Sequence, residues 1–313
     1  MNRPISSGAL CLTVGTYKLM ALSIVQQIKH HTMKWMGRRE SGNIEDRRSG
    51  GGGLAVGGGL AAVIAVVFAL LTGQNPLELI GMAQQGGSSS QGTELSTEIK
   101  DDPNSHFVAV VLAETEDVWD SVFRAQNLQY EKPVLTLFSG QVRSGCGAAS
   151  SSTGPFYCPA DSKVYIDLSF YDELQNRFGA PGDFAMAYVI AHEVGHHIQH
   201  LLGTTDKVDR MRGKVSDEEL NALSVRLELQ ADFLAGVWAH HTQRKDLLDA
   251  GDIEEALKAA NAIGDDRLQM QAQGYVVPDA FTHGTSEQRM RWFKRGYETG
   301  DIRSGDTFST SSL

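Results

Sequence analysis

The longest uninterrupted apolar stretch in the chain is LAVGGGLAAVIAVVFALLT, residues 54–72, and no charge occurs from Gly51 to Pro76. A bilayer core about 30 Å thick needs roughly 20 apolar residues in a helix, so this run is just long enough to cross. Its glycines weaken a helix in water but are common in membrane helices. The length of the run, its start at Leu54 and the lack of a clear A-x-A site after it favour a retained anchor over a cleaved signal peptide. Lys34, Arg38, Arg39, Arg47 and Arg48 precede the run, whereas Lys100 is the first basic residue after it. The positive-inside rule then predicts a basic cytoplasmic segment at 33–53, one transmembrane helix at 54–72 and a C-terminal body on the far side. Residues 82–104 are polar, rich in Gly, Ser and Gln and without period, so 73–105 reads as a flexible tether to a folded domain at 106–313. Residues 1–32 show no sustained period and Met33 opens a segment that reads like a natural start. They are expected to be a spurious or disordered leader.

Within the body the apolar pattern changes period several times. FVAVVLAE (107–114) suits a strand or the start of a helix, and Thr115 is an N-cap candidate for a helix to about Gln126, with Glu116 and Asp117 in its first turn. PVLTLF (133–138) reads as a short strand, and KVYIDLSF (163–170) alternates as a half-buried one. Helices are predicted near 172–178, 183–202, 216–245, 252–263 and 286–298, with Ser216 and its following Glu218 and Glu219 starting the longest. The body is therefore expected to be α+β with helices dominant and a small sheet.

Charge and cysteine content narrow the partners. The net charge is -10 and the pI near 5.5, which argues against nucleic acid, because phosphate binding wants clustered Lys and Arg. Three cysteines are too few for a disulfide scaffold. Cys146 and Cys158 flank a Gly/Ser-rich stretch and suit one bridge in an oxidising exterior; two buried free thiols are the alternative.

The chemistry concentrates in AMAYVIAHEVGHHIQH (185–200). His192 and His196 are four apart, so a helix puts both imidazoles on one face, where one Zn²⁺ takes both. Glu193, beside the first ligand, is the general base for a zinc-bound water whose pKa the metal lowers to about 7. Gly195 costs about 1 kcal/mol against Ala in a helix interior, which points to close approach of another backbone. His197 is one position round from His196 and reads as an orienting or packing residue, and His200 as a helix-end one.

A catalytic zinc usually has three protein ligands and an open site. RLELQADFLAG (226–236) offers Glu228 as the third ligand and, four later on the same face, Asp232 to accept a ligand histidine's N–H. The apolar neighbours of the pair fit a solvated acidic stripe poorly. His240 and His241 are alternative ligands further along. KVYIDLSF is either an edge strand that pairs with an extended substrate or an ordinary core strand. His283, ahead of a helix that Thr285 or Ser286 would cap, and Tyr275 are candidates to donate to the oxyanion. Packing of Trp292 and Phe293 is the alternative role for that segment.

H-E-x-x-H followed by E-x-x-A-D resembles the Glu-zincin metallopeptidases. More closely, the chain resembles the bacterial putative neutral zinc metallopeptidase family, through MKWMGRRESGNIEDRRSG (33–50), GPFYCPADSKVYIDLSF (154–170), AHEVGHHIQHLLG (191–203), RLELQADFLAGVWAHH (226–241) and FTHGTSEQRMRWFKRGY (281–297). The resemblance implies a zincin-like fold with a membrane anchor, zinc ligands His192, His196 and Glu228, and catalytic Glu193. The expected activity is hydrolysis of peptide or protein substrates by a periplasmic body held to the bacterial inner membrane. A membrane-anchored binding or assembly factor that keeps zinc without turnover is the rival, and a purely structural zinc fares worse because it leaves no use for Glu193 or the open position.

Overall fold

The computed structural model describes residues 33–48 and 101–313, so the leader, the apolar run and nearly all of the tether lie outside the described residues. In chain order the elements are β1 (Ile44–Asp46), α1 (Pro103–Ala125), β2 (Val134–Phe138), β3 (Gln141–Ser144), β4 (Gly147–Ser150), β5 (Phe156–Cys158), β6 (Lys163–Asp167), α2 (Ser169–Asn176), α3 (Asp183–Leu201), α4 (Thr204–Asp209), α5 (Asp217–Gln243), α6 (Asp252–Ala262), α7 (Asp265–Gln273) and α8 (Ser286–Thr299). This is an α+β body dominated by helices. Among the described residues no helix is long and apolar enough to cross a membrane.

Helix α3 is the centre. From Phe184 to Ile190 every side chain is buried, with Val194 and Ile198 following. A helix apolar on all sides belongs in a core. It packs against α1, α5 and α6 and, over its far end, the sheet. Helix α5 begins as the sequence predicts. Ser216 accepts from the Glu219 N–H while the Glu219 side chain reaches back to the Ser216 N–H. Two glycines set the crossing of α5 and α8: a Cβ on Gly236 would overlap the Phe293 carbonyl, and one on Gly296 the Phe233 carbonyl. That contact brings the first turn of α8 against the middle of α5.

The sheet has order β1-β2-β6-β5, the first three strands parallel and β5 antiparallel to β6. Its interior strands are near-continuous apolar runs, as expected where both faces are covered. KVYIDLSF thus forms an interior strand with Leu135 opposite Val164, and breaks into α2 at Ser169. The edge near α3 is β5. The β3–β4 hairpin hangs beside it, and Cys146 at the hairpin turn is joined to the buried Cys158 of β5.

FVAVVLAE, open as strand or helix in the sequence, is a wholly buried stretch of a single 23-residue helix. Three expectations need correcting. Pro103 stands in the first turn of that helix, and the Asp102 side chain caps the Ser105 N–H. Thr115 sits in mid-helix and returns its hydroxyl to the Leu112 carbonyl at 2.7 Å. The body also does not begin at His106. Residues 33–48, expected as a cytoplasmic flank, belong to it: β1 pairs with β2 through Ile44–Leu135, Met33 is 1% exposed in the main core, and Trp35 donates to Asp183 at the start of α3.

Candidate metal centre

His192 and His196 lie one turn apart on α3, with ring centroids 4.8 Å apart and planes nearly perpendicular. Gly195 stands between them where α5 crosses: a Cβ there would sit 3.0 Å from the Ala231 carbonyl oxygen. The absent side chain lets α5 approach closely enough for Glu228 to reach both imidazoles. Its Oε2 lies 3.2 Å from His192 Nε2 and its Oε1 3.4 Å from His196 Nε2. Among the described residues, these three form the group whose ligand atoms all fall within 4.8 Å of one another.

Each histidine is oriented through its other nitrogen. His192 Nδ1 donates to Asp232 Oδ1 at 2.8 Å, and His196 Nδ1 to the Gln199 side-chain oxygen at 2.9 Å. Gln199 is itself held through its amide N–H groups to the Leu227 carbonyl and the Gln230 side chain. Both Nε2 atoms thereby face Glu228 and are the nitrogens available to a metal. Two imidazole nitrogens and one carboxylate, converging at the wall of an open cleft, match the donor set and the vacant position of a catalytic zinc.

Asp232 is fully buried and saturated. It also accepts from the Tyr188 hydroxyl at 2.5 Å and from Arg289 through Nε at 2.9 Å and a terminal nitrogen at 3.0 Å. Arg289, 2% exposed in the first turn of α8, was not singled out from the sequence. Its position was a legible signal, because it shares a helix face with Trp292, Phe293 and Gly296 and so had to be a buried cation needing a buried anion.

The electrostatics separate the carboxylates. Burial pushes the Asp232 carboxyl up, but Arg289 and His192 outweigh it and hold it at about 2. Burial likewise works against the Glu228 anion, and the two imidazoles bring it well below the usual range. At His192 burial disfavours the cation, yet Asp232 and Glu228 push its pKa up to about 10. Glu193 goes the other way. Desolvation dominates over the neighbouring imidazoles and raises its carboxyl above the ordinary value, giving the cleft one carboxylate of increased basicity.

The remaining histidines have separate roles. His197 bonds the Tyr157 hydroxyl at 3.0 Å and the Glu131 carbonyl at 2.6 Å, tying α3 to the edge strand; burial lowers its pKa to about 4, so it stays neutral. His200 rests near Tyr157 at the end of α3. His240 and His241 bond the Tyr297 and Gly300 carbonyls at the end of α8, away from the metal ligands. His283 lines the cleft. Its Nδ1 contacts Asp265 at 3.2 Å, and the Asp265 carboxylate also gathers the N–H groups of Thr282, His283 and Gly284. That pairing raises the His283 pKa. Tyr275 is 60% exposed and does not line the cleft.

The cleft has a volume of about 640 Å³ and runs from β5, through Phe156 and Tyr157, across the metal ligands to Leu227, Ile263 and His283. Comparison with known proteins agrees with this geometry. The family model described as putative neutral zinc metallopeptidase matches residues 33–308. The Escherichia coli K12 protein YpfJ, itself uncharacterized, is 50% identical over 286 residues, covering 89% of this chain and 100% of that protein. The uncharacterized Mycobacterium bovis protein Mb2605 is 42% identical over 220 residues, covering 67% of this chain and 73% of that one. No solved structure matches. The chain belongs to the putative neutral zinc metallopeptidase family.

Proposed function

We propose that this chain is a zinc-dependent endopeptidase that hydrolyses peptide bonds in the cleft between β5 and α7. The observation that carries the reading is the convergence of His192 Nε2, His196 Nε2 and Glu228 beside a buried, basic Glu193. Zinc held by those three residues supplies the Lewis acidity that polarises a carbonyl and acidifies a water. Glu193 takes the proton of the attacking water and passes it to the departing amine. His283, with Nδ1 engaged by Asp265, presents in its protonated form an Nε2–H that can donate to the oxyanion. Asp232 and Arg289 keep His192 in the tautomer that presents Nε2.

An extended substrate fits along β5, the sheet edge that lines the cleft, by adding a strand. The Cys146–Cys158 pair supports work outside the cytoplasm.

The test is Glu193→Gln in the full chain. We expect zinc stoichiometry to stay near one per chain while chelator-sensitive cleavage of a broad peptide library disappears. Undiminished cleavage in the variant overturns the mechanism, and zinc without turnover in the unaltered protein favours a zinc-containing binding factor.

A further inference from the structure

The five basic residues that the positive-inside rule counts as a cytoplasmic flank are all engaged. Lys34 lies 2.9 Å from Asp246, Arg38 3.1 Å from Glu114, Arg39 2.8 Å from Asp117 and Arg48 2.9 Å from Asp102. Arg47 pairs with Glu45 at 2.6 Å within the segment, and its backbone N–H donates to the Leu137 carbonyl. Glu116, 1% exposed in α1, receives Asn43 Nδ2 at 2.7 Å together with Ser41 and Arg39. Without the segment, Lys132 is the one cation in the described structure left paired to it. Met33 and Ile44 fill the main core, and β1 completes the sheet. These basic side chains neutralise acids of the body and report nothing about a membrane face.

We propose that residues 33–48 and 101–313 lie on the same face of the membrane as one folded body, so that the apolar run 54–72 does not part them by a single crossing. As a helix, its nineteen residues would rise about 28 Å, enough for one passage and not two. Residues 73–100 hold no second run of that length to bring the chain back. The chain departs after Arg48 and returns at Asp102, which are paired to each other. One crossing between those points would pull β1 out of the sheet and leave Glu116 buried with a single counter-charge. The Cys146–Cys158 bridge makes the shared face the oxidising one.

The experiment is thiol labelling of the full chain in intact cells with a membrane-impermeant maleimide, in a Cys11→Ala background. Met36→Cys and Met270→Cys report the two parts, because Met36 is 76% and Met270 52% exposed and neither packs in the core. Both sites should label to the same extent before permeabilisation, and both should react fully in detergent. Labelling of one site in intact cells while the other needs permeabilisation overturns the proposal. The readout needs no catalysis, so it stands or falls separately from the peptidase reading.

Discussion

Replacing Asp232 by Asn separates the two roles of the buried cluster, because Asn keeps the volume and one oxygen but removes the charge. Arg289 then remains, 2% exposed, with its bidentate carboxylate partner gone. Removing one member of a buried pair costs about 3–5 kcal/mol, a large part of a typical total stability of about 5–15 kcal/mol. The second effect falls on the metal. His192 loses the anionic acceptor of its Nδ1–H, and loss of such a partner costs about 10–100-fold in metal affinity, or about 1.4–2.7 kcal/mol.

The two effects come apart in the double variant Asp232→Asn/Arg289→Met, which removes both charges. Substituting a buried pair by groups of similar size is often near neutral, so urea unfolding should recover most of the stability lost in Asp232→Asn. Zinc affinity, measured by competition with a chromogenic chelator, should stay at the single variant's level. A single variant within about 1 kcal/mol of the parent, or a double variant that regains no stability, refutes the account of Arg289 as the counter-charge of Asp232.

Gly195→Ala should gain about 1 kcal/mol of helix propensity yet weaken zinc binding, because the new methyl meets the Ala231 carbonyl at 3.0 Å and displaces Glu228 from the histidines; zinc titration checks it, and unchanged affinity would mean that the crossing does not set the ligand spacing. Glu255 is raised to about 7, first by burial and then by Asp252 and Asp183, although its carboxylate accepts the Phe184 N–H at 3.1 Å at the start of α3. A carboxyl whose folded pKa exceeds its unfolded value binds more protons when folded, so the stability it contributes is present below the unfolded pKa and is lost as pH rises toward 7. Glu255→Gln should therefore raise the Tm at pH 8 and leave it nearly unchanged at pH 4.5. Because Glu255 is partly exposed, solvent screening keeps the effect small.

What could be read from the chain divides along the reach of the interactions. The spacing of His192, Glu193 and His196 is a local property of one helix, and the Ser216 box marks where α5 starts, so the two metal helices were legible within a residue or two. Gly195 was legible as a close contact, although its partner, the Ala231 backbone, was not. The start of α1 was missed even though Asp102 and Pro103 are a local start signal, because the polar run before them led the eye to a tether. Arg289 and Gln199 were missed for a different reason. The burial of Arg289 shows in its helix face, but its acceptor Asp232 lies across a helix contact. Gln199 stands three residues from His196 on one helix, and only its anchors, the Leu227 carbonyl and Gln230, lie across the contact.

The basic N-terminal segment misled most, and the cause is physical rather than statistical. Positive-inside reasoning treats Lys and Arg as free charges facing a membrane potential and anionic lipid. Here the acids that meet them stand in α1 and after α5, far along the chain. Of Glu114, Glu116 and Asp117, the last two look in sequence like a helix first turn after Thr115, favouring its dipole. In the fold, two of the three are buried in mid-helix, and that burial is tolerable because Arg38, Arg39, Ser41 and Asn43 arrive from beyond the apolar run. The buried acids of α1 and the basic segment therefore make sense only together, and a body cut to begin at His106 would lose the groups that allow Glu116 to be buried as an anion.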